Sequence, residues 1–204
     1  MAELDGRTLT PGLDVIILAG GRGTRMGGRD KAAVVVDGER LVDVLLDEVS
    51  LINDLMQVVV VSTRDLEVRP GVKIAREEPP FSGPLSAIAA GLDSLSCEPS
   101  ERTAILAVDA PDSAQLIPEL RDALAGAPGN AAAVIEEAGG HLQPLCALWD
   151  TAALHRALRD FGDVSDRPAK ALLESVSFVS VEGTGEERDY DTLEELAEFG
   201  DVED

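Results

Sequence analysis

Residues 13–19, LDVIILA, form a nearly unbroken apolar run that stops at Gly20-Gly21. A run this short and continuous suits a strand covered on both faces, as in a parallel sheet. A strand buried twice needs helices on both sides of its sheet, and the rest of the chain supplies them. Further buried strands are expected over 56–62 (QVVVVS at its end), 71–75, 103–108 and 177–182, with two more around the Gly139-Gly140 turn within 131–150. Helices are expected over 40–52, 83–95, 113–126, 151–162, 167–176 and 192–200. Leu41, Val44, Leu45, Val49 and Ile52 fall at helical spacing, Gly83-Pro84 places a proline in a first turn, and Pro118 shortens the start of the third helix. The expected architecture is a three-layer α/β sandwich with a mostly parallel, Rossmann-like central sheet. It is read as one domain over 1–204, with 1–12 and 201–204 as flexible tails.

The first strand delivers the chain into a loop, GGRGTRMGGRDK, that departs from everything around it. The protein carries 17 Lys and Arg against 39 Asp and Glu, a net charge of −22. Yet Arg22, Arg25, Arg29 and Lys31 fall within ten residues whose single acid is Asp30. In an open α/β sheet ligands gather at the carboxyl ends of the strands, where this loop lies. Glycines let backbone N–H groups approach phosphate oxygens, and Arg and Lys add charge-assisted hydrogen bonds. Screening confines charge effects to roughly 10 Å, so a cationic loop works inside an acidic protein. Two familiar phosphate loops fail here. Gly23-x-x-x-x-Gly28 is followed by Arg29-Asp30 where a P-loop needs Lys and Ser or Thr. Gly21-x-Gly23-x-x is followed by Met26 where the dinucleotide fingerprint needs Gly or Ala.

The charge argues against nucleic acid or an anionic membrane surface as partner. The polar, acidic start MAELDGRTLTPG is unlike a signal peptide, and the longest apolar runs are too short to cross a bilayer. A cytoplasmic location is expected, with Cys97 and Cys146 as reduced thiols or, alternatively, a disulfide.

LAGGRGTRMGGRDK resembles the N-terminal signature of the molybdenum cofactor guanylyltransferases, small nucleotidyltransferases that activate a substrate phosphate with a nucleoside triphosphate. EEPPFSGPLSAIAAGL, LAVDAPDSAQLIPEL, HLQPLCALW and DYDTLEEL resemble that family's later blocks in the same order, so the likeness spans residues 14–199. The resemblance implies attack by the terminal phosphate of molybdopterin on the α-phosphorus of GTP, pyrophosphate leaving, with Mg²⁺ as cofactor. It also implies transient docking to the protein that supplies the pterin. Arg25 and Lys31 occupy the family's loop cations, while Arg22 and Arg29 fall at variable positions. Leu18, Ala19, Gly20 and Gly21 would line base and phosphates with backbone. Asp109, at the tip of a buried strand, would hold Mg²⁺; its alternative is a helix cap, a role open also to Asp112 and Ser113. Asp191 would be a second metal acid or a pterin-side contact with Gln143, though it or Thr192 also suits a cap, Thr192 pairing with Glu195 in a capping box.

Two positions depart from the family. Glu78, matched by spacing in Glu77-Glu78, stands where Asp is common, and Ser62 stands where Asn is common. Both bear on the choice of nucleotide, leaving open a cytidylyltransferase for the same pterin or a guanylyltransferase for another phosphorylated metabolite. His141 reads as a turn residue or a general base, Trp149 as core or a pterin platform. A non-catalytic nucleotide-binding or delivery protein on this scaffold would have no need for Asp109.

Overall fold

The computed structural model describes residues 3–4, 7–21, 26–96 and 98–203. One sheet of seven strands organises them: β1 (Thr10–Leu18), β2 (Leu55–Val61), β3 (Lys73–Ala75), β4 (Ser100–Ala107), β5 (Ala132–Glu136), β6 (Leu142–Asp150) and β7 (Phe178–Glu182). Their spatial order is β7-β5-β6-β4-β1-β2-β3. Every neighbouring pair is parallel except the two made by β6, which runs against β4 and β5.

The unbroken apolar run resolves into two faces. Val15 and Ile17 pack with helices α1 (Leu41–Ser50), α3 (Ile117–Gly126) and α6 (Leu193–Phe199), through Leu45, Leu120 and Leu196 among others. Ile16 and Leu18 point the other way, into α2 (Pro84–Asp93), α4 (Thr151–Phe161) and α5 (Lys170–Glu174), through Ile88, Leu154 and Leu172. The three layers expected from strand composition are present, because alternate side chains of one strand fill both cores. Trp149, 1% exposed, belongs to the second core and is no platform for a ligand. Among the described residues no helix is long and apolar enough to cross a membrane.

Element ends differ where local chemistry intervenes. Residues 113–116 form a 3₁₀ turn before α3, whose second residue is Pro118: proline lacks the N–H a continuous helix would use. Described parts of both segments expected as tails, residues 9–12 and 201–203, are tied to the sheet's surroundings. Leu9 is 1% exposed, and Thr10 donates its N–H to the Pro99 carbonyl at 3.1 Å. Residues 201–203 run beside 35–37: Asp37 N–H donates to Asp201 O at 2.9 Å, and Glu203 N–H to Val35 O at 3.0 Å. Backbone groups left unpaired by the short hairpin of Val35–Val36 and Glu39–Arg40 are thereby satisfied.

Asp14 sits inside the first strand with no exposure. Its carboxylate accepts from Ser100 N–H (2.7 Å), Ser100 Oγ (2.9 Å) and Gln57 Nε2 (3.3 Å). Burial pushes its pKa up, and these donors pull against that shift. The arrangement joins β1, β2 and β4 at the end of the sheet away from the glycine loop.

Helix α2 approaches the sheet at Gly91, where a Cβ would stand 2.5 Å from Ile16 Cγ2 and 3.1 Å from Val61 Cγ2. Both contacts are methyls of β-branched residues that have few rotamers to retreat into. Gly91→Ala is therefore expected to destabilise the protein by about 1 kcal/mol, overpacking outweighing the helix propensity gained. The thermal midpoint should fall by about 2–4 °C. A raised midpoint would show that Ile16 gives way freely.

Candidate active site

The carboxyl ends of β1 and β4 lie side by side and hold the floor of a cavity of about 440 Å³. Val108 N–H donates to Leu18 O at 3.0 Å and Ala19 N–H to Val61 O at 2.9 Å, so the sheet extends right up to the glycines. Leu18, Ala19, Gly20 and Gly21 line this cavity together with Asp30, Lys31, Glu77, Phe81, Asp109, Leu145 and Asp191. Residues separated widely in sequence thus share one wall-to-wall space.

The far side of the glycine loop is built to return the chain to the sheet. Met26 is 2% exposed and anchors the loop in the first core. Gly27 and Gly28 take φ of +66° and +84°, a region that favours glycine. Asp30 then caps a 3₁₀ turn, Lys31–Ala33, accepting from Ala32 N–H at 3.2 Å. With Ala32 fully buried, Lys31 is aimed back into the cavity. Arg22 and Arg25 lie outside the described residues, as does Cys97.

Lys31 meets two acids there. Its Nζ donates to Asp109 Oδ2 at 2.8 Å and to Asp191 Oδ1 at 2.6 Å. Asp109 follows the tip of β4, and its carbonyl accepts from Tyr190 N–H at 2.9 Å, which docks the C-terminal segment on the strand end. That segment is held by Tyr190 packed against Phe199 and by the capping box of α6. Thr192 Oγ1 accepts from Glu195 N–H at 3.1 Å, and Glu195 Oε2 accepts from the N–H groups of Thr192 and Asp191. Thr192 does the capping, which leaves the Asp191 carboxylate to face Lys31. Asp112 and Ser113 make no side-chain cap: Ser113 Oγ donates to Ala110 O at 2.6 Å.

The two acids suit a hard cation. A single ammonium already reaches both carboxylates, so one ion fits between them, and Mg²⁺ is commonly held by one or two carboxylates plus water and phosphate oxygens. Among the described residues the cavity lining carries four carboxylates, of Asp30, Glu77, Asp109 and Asp191, against the one ammonium of Lys31.

Glu77 is the site residue that spacing passed over. It is 6% exposed, lines the cavity, and accepts from Phe81 N–H through Oε1 at 3.0 Å. Its Oε2 is buried without a hydrogen-bond partner, and burial raises the carboxyl pKa. Glu78 is exposed and lies outside the lining. Ser62, 1% exposed, also lies outside it; its Oγ accepts from Arg64 N–H at 3.1 Å. Arg64 in turn donates through Nη2 to Gly28 O at 2.9 Å, so Ser62 is coupled to the loop rather than to the cavity. Gln143 bonds to Glu137, and His141 is exposed in its turn; neither lines the cavity. Cys146 is free, buried and inert, its thiol pushed up to about 12 by burial and by Glu187 nearby.

A sequence profile of the MobA-like NTP transferase domain matches residues 15–180. A molybdenum cofactor guanylyltransferase from Cereibacter sphaeroides is 33% identical over 141 residues, 67% of this chain and 68% of that protein. Solved structures share the fold. Molybdopterin-guanine dinucleotide biosynthesis protein A from Archaeoglobus fulgidus superposes with a TM-score of 0.64 at 19% identity, covering 91% of this chain and 95% of that one. The 2-C-methyl-D-erythritol 4-phosphate cytidylyltransferase from Francisella tularensis gives 0.72 at 13% identity, covering 92% and 98%. The profile match over residues 15–180 and the guanylyltransferase relative make the chain a member of the MobA-like NTP transferase family and a nucleotidyltransferase.

Proposed function

We propose that this nucleotidyltransferase moves GMP from GTP to the terminal phosphate of molybdopterin. The observation that carries the reading is Lys31 held between Asp109 and Asp191 at the mouth of the glycine loop. In the reaction an acceptor phosphate oxygen forms a bond to the α-phosphorus as the bond from that phosphorus to the bridging oxygen breaks, and pyrophosphate leaves. A phosphate is already ionised near neutral pH, so no general base is required. What the reaction needs from the protein is alignment and neutralised charge.

Backbone N–H groups of Gly20 and Gly21 would donate to the phosphates, and Lys31 would supply a point charge to the α- and β-phosphates, as would Arg25 from its place in the sequence. Asp109 and Asp191 would hold Mg²⁺, which supplies Lewis-acid neutralisation of the phosphate oxygens. Helix α2 lines the cavity with its N-terminal turn, where the peptide dipoles favour anions.

Glu77 favours guanine. A carboxylate with one oxygen lacking a donor matches the adjacent N–H and NH₂ of guanine, whereas cytosine and adenine offer an acceptor beside their amine. Calorimetric titration with GTP, CTP, ATP and UTP in the presence of Mg²⁺ tests this, with GTP expected to bind tightest. Inosine triphosphate lacks the amine, and Glu77→Gln should shrink the preference for GTP over it by about tenfold, the scale of one hydrogen bond to a charged group. A preference for CTP would move the protein to cytidylyl transfer, and absence of all binding would sink the enzymatic reading. Transient docking to the pterin-supplying protein and a cytoplasmic location fit the same proposal.

A further inference from the structure

The turn that follows β2 meets the glycine loop in two places. Ala19 N–H closes on Val61 O at 2.9 Å where the loop begins. One residue on, Gly20 lies against Thr63, so that an added Cβ would stand 3.9 Å from Thr63 Cγ2. Where the loop returns, Arg64 Nη2 donates to Gly28 O at 2.9 Å. Thr63 and Arg64, neighbours in the chain, therefore bracket the loop at its departure and at its return.

The turn has a fixed base. Ser62 is 1% exposed, and its N–H donates to Ala75 O at 3.0 Å. Its Oγ accepts from Arg64 N–H and donates to Arg64 O, each at 3.1 Å, a serine turn that sets the backbone of the arginine. Leu66, buried in the first core, holds the far end. The half-buried Arg64 side chain extends from this base and lies outside the cavity lining, so it acts on a ligand through the loop.

Gly28 is a place where a hold matters. It takes φ of +84°, and glycine loses more conformational freedom on ordering than any other residue. A loop that binds phosphates by its backbone must be ordered, and any ordering left until binding is subtracted from affinity. Packing of Met26 in the core fixes one point of the returning limb. The guanidinium fixes a second by a charge-assisted bond, three residues before Lys31.

We propose that Arg64, set by Ser62, is a positioning residue that braces the glycine loop for the phosphates of the nucleotide, so that the serine of this chain serves phosphate affinity and not the choice of base. The inference rests on the nucleotidyl-transfer reading.

The test titrates the full-length protein, Ser62→Ala, Arg64→Ala and the double variant by calorimetry in Mg²⁺, with inorganic tripolyphosphate, GTP and CTP as separate probes. Arg64→Ala should weaken all of them by about tenfold, the scale of one hydrogen bond to a charged group, and leave the ratio of GTP to CTP affinity as it was. Ser62→Ala should weaken them together by about threefold, and the double variant should bind no worse than Arg64→Ala alone, because both act through one contact. In turnover the KM for GTP should rise as its affinity falls while kcat moves little, the mark of binding lost equally from ground and transition states. Should Ser62→Ala fail to fold, Arg64→Ala decides alone.

Unchanged tripolyphosphate binding in Arg64→Ala would overturn the proposal. So would a shifted ratio of GTP to CTP in Ser62→Ala, which would make the serine a reader of the base. Losses that multiply in the double variant would separate the two residues and overturn it as well. Binding is scored without turnover, so an unmodified protein that binds tripolyphosphate and GTP yet transfers nothing would sink the functional reading and leave Arg64 judged on these affinities.

Discussion

Asp109→Asn is expected to reduce nucleotidyl transfer by at least about a hundredfold, the scale on which removing one charge-stabilising group lowers turnover. The substitution keeps the size of the side chain and removes its charge, so little else changes. Asp109 holds the C-terminal segment through its backbone carbonyl, which accepts from Tyr190 N–H, and that bond survives any side-chain replacement. The fold and the thermal midpoint should therefore stay close to those of the unmodified protein. Lys31 retains Asp191 at 2.6 Å, so the lysine is not released either. Loss of turnover with intact folding would place Asp109 in the chemistry. Near-normal turnover would reduce it to a structural partner of Lys31. Steady-state kinetics at saturating GTP and Mg²⁺, alongside thermal unfolding, separates the two.

How much of this was legible in the sequence depended on whether the signal was local. Strand β1 announces itself by composition, since a strand buried on both faces has little room for polar residues. The exception within it, Asp14, is unreadable because its partner Ser100 lies 86 residues away. The same holds for the site. A lysine after a glycine loop and an aspartate at a strand tip are each visible, but their meeting spans 78 residues, and that of Lys31 with Asp191 spans 160.

Local ambiguity also mattered. In Glu77-Glu78-Pro79-Pro80 two acids compete for one role, and spacing to the Gly-Pro-Leu block favoured Glu78. Only the path of the backbone, which turns Glu77 inward to accept from Phe81 N–H, puts Glu77 rather than Glu78 in the cavity lining. Phe81 itself carried no pattern, because a positive φ at a non-glycine residue leaves no trace in composition. The pairing of residues 201–203 with 35–37 was hidden for another reason: three residues are too few to show a period.

Lys31→Met should produce two opposite effects in one protein. Transfer should fall by at least about a hundredfold, since a charge is lost where the phosphates must be neutralised. Divalent cation binding by the nucleotide-free protein should tighten. At present the ammonium sits 2.8 Å from one carboxylate and 2.6 Å from the other. If Asp109 and Asp191 share an ion, Lys31 would compete with it for the same carboxylate oxygens. Methionine keeps much of the aliphatic stem and removes the ammonium as a competitor. The gain in affinity should reach about tenfold, a modest fraction of the Coulomb energy between charges at this range. Mn²⁺ offers a direct readout, because electron paramagnetic resonance counts the free ion without reference to activity. Weaker or unchanged Mn²⁺ binding in Lys31→Met would show that Asp109 and Asp191 do not share an ion. Tighter binding with lost transfer would assign Lys31 both tasks, holding the acids together while the site is empty and meeting the phosphates when it fills.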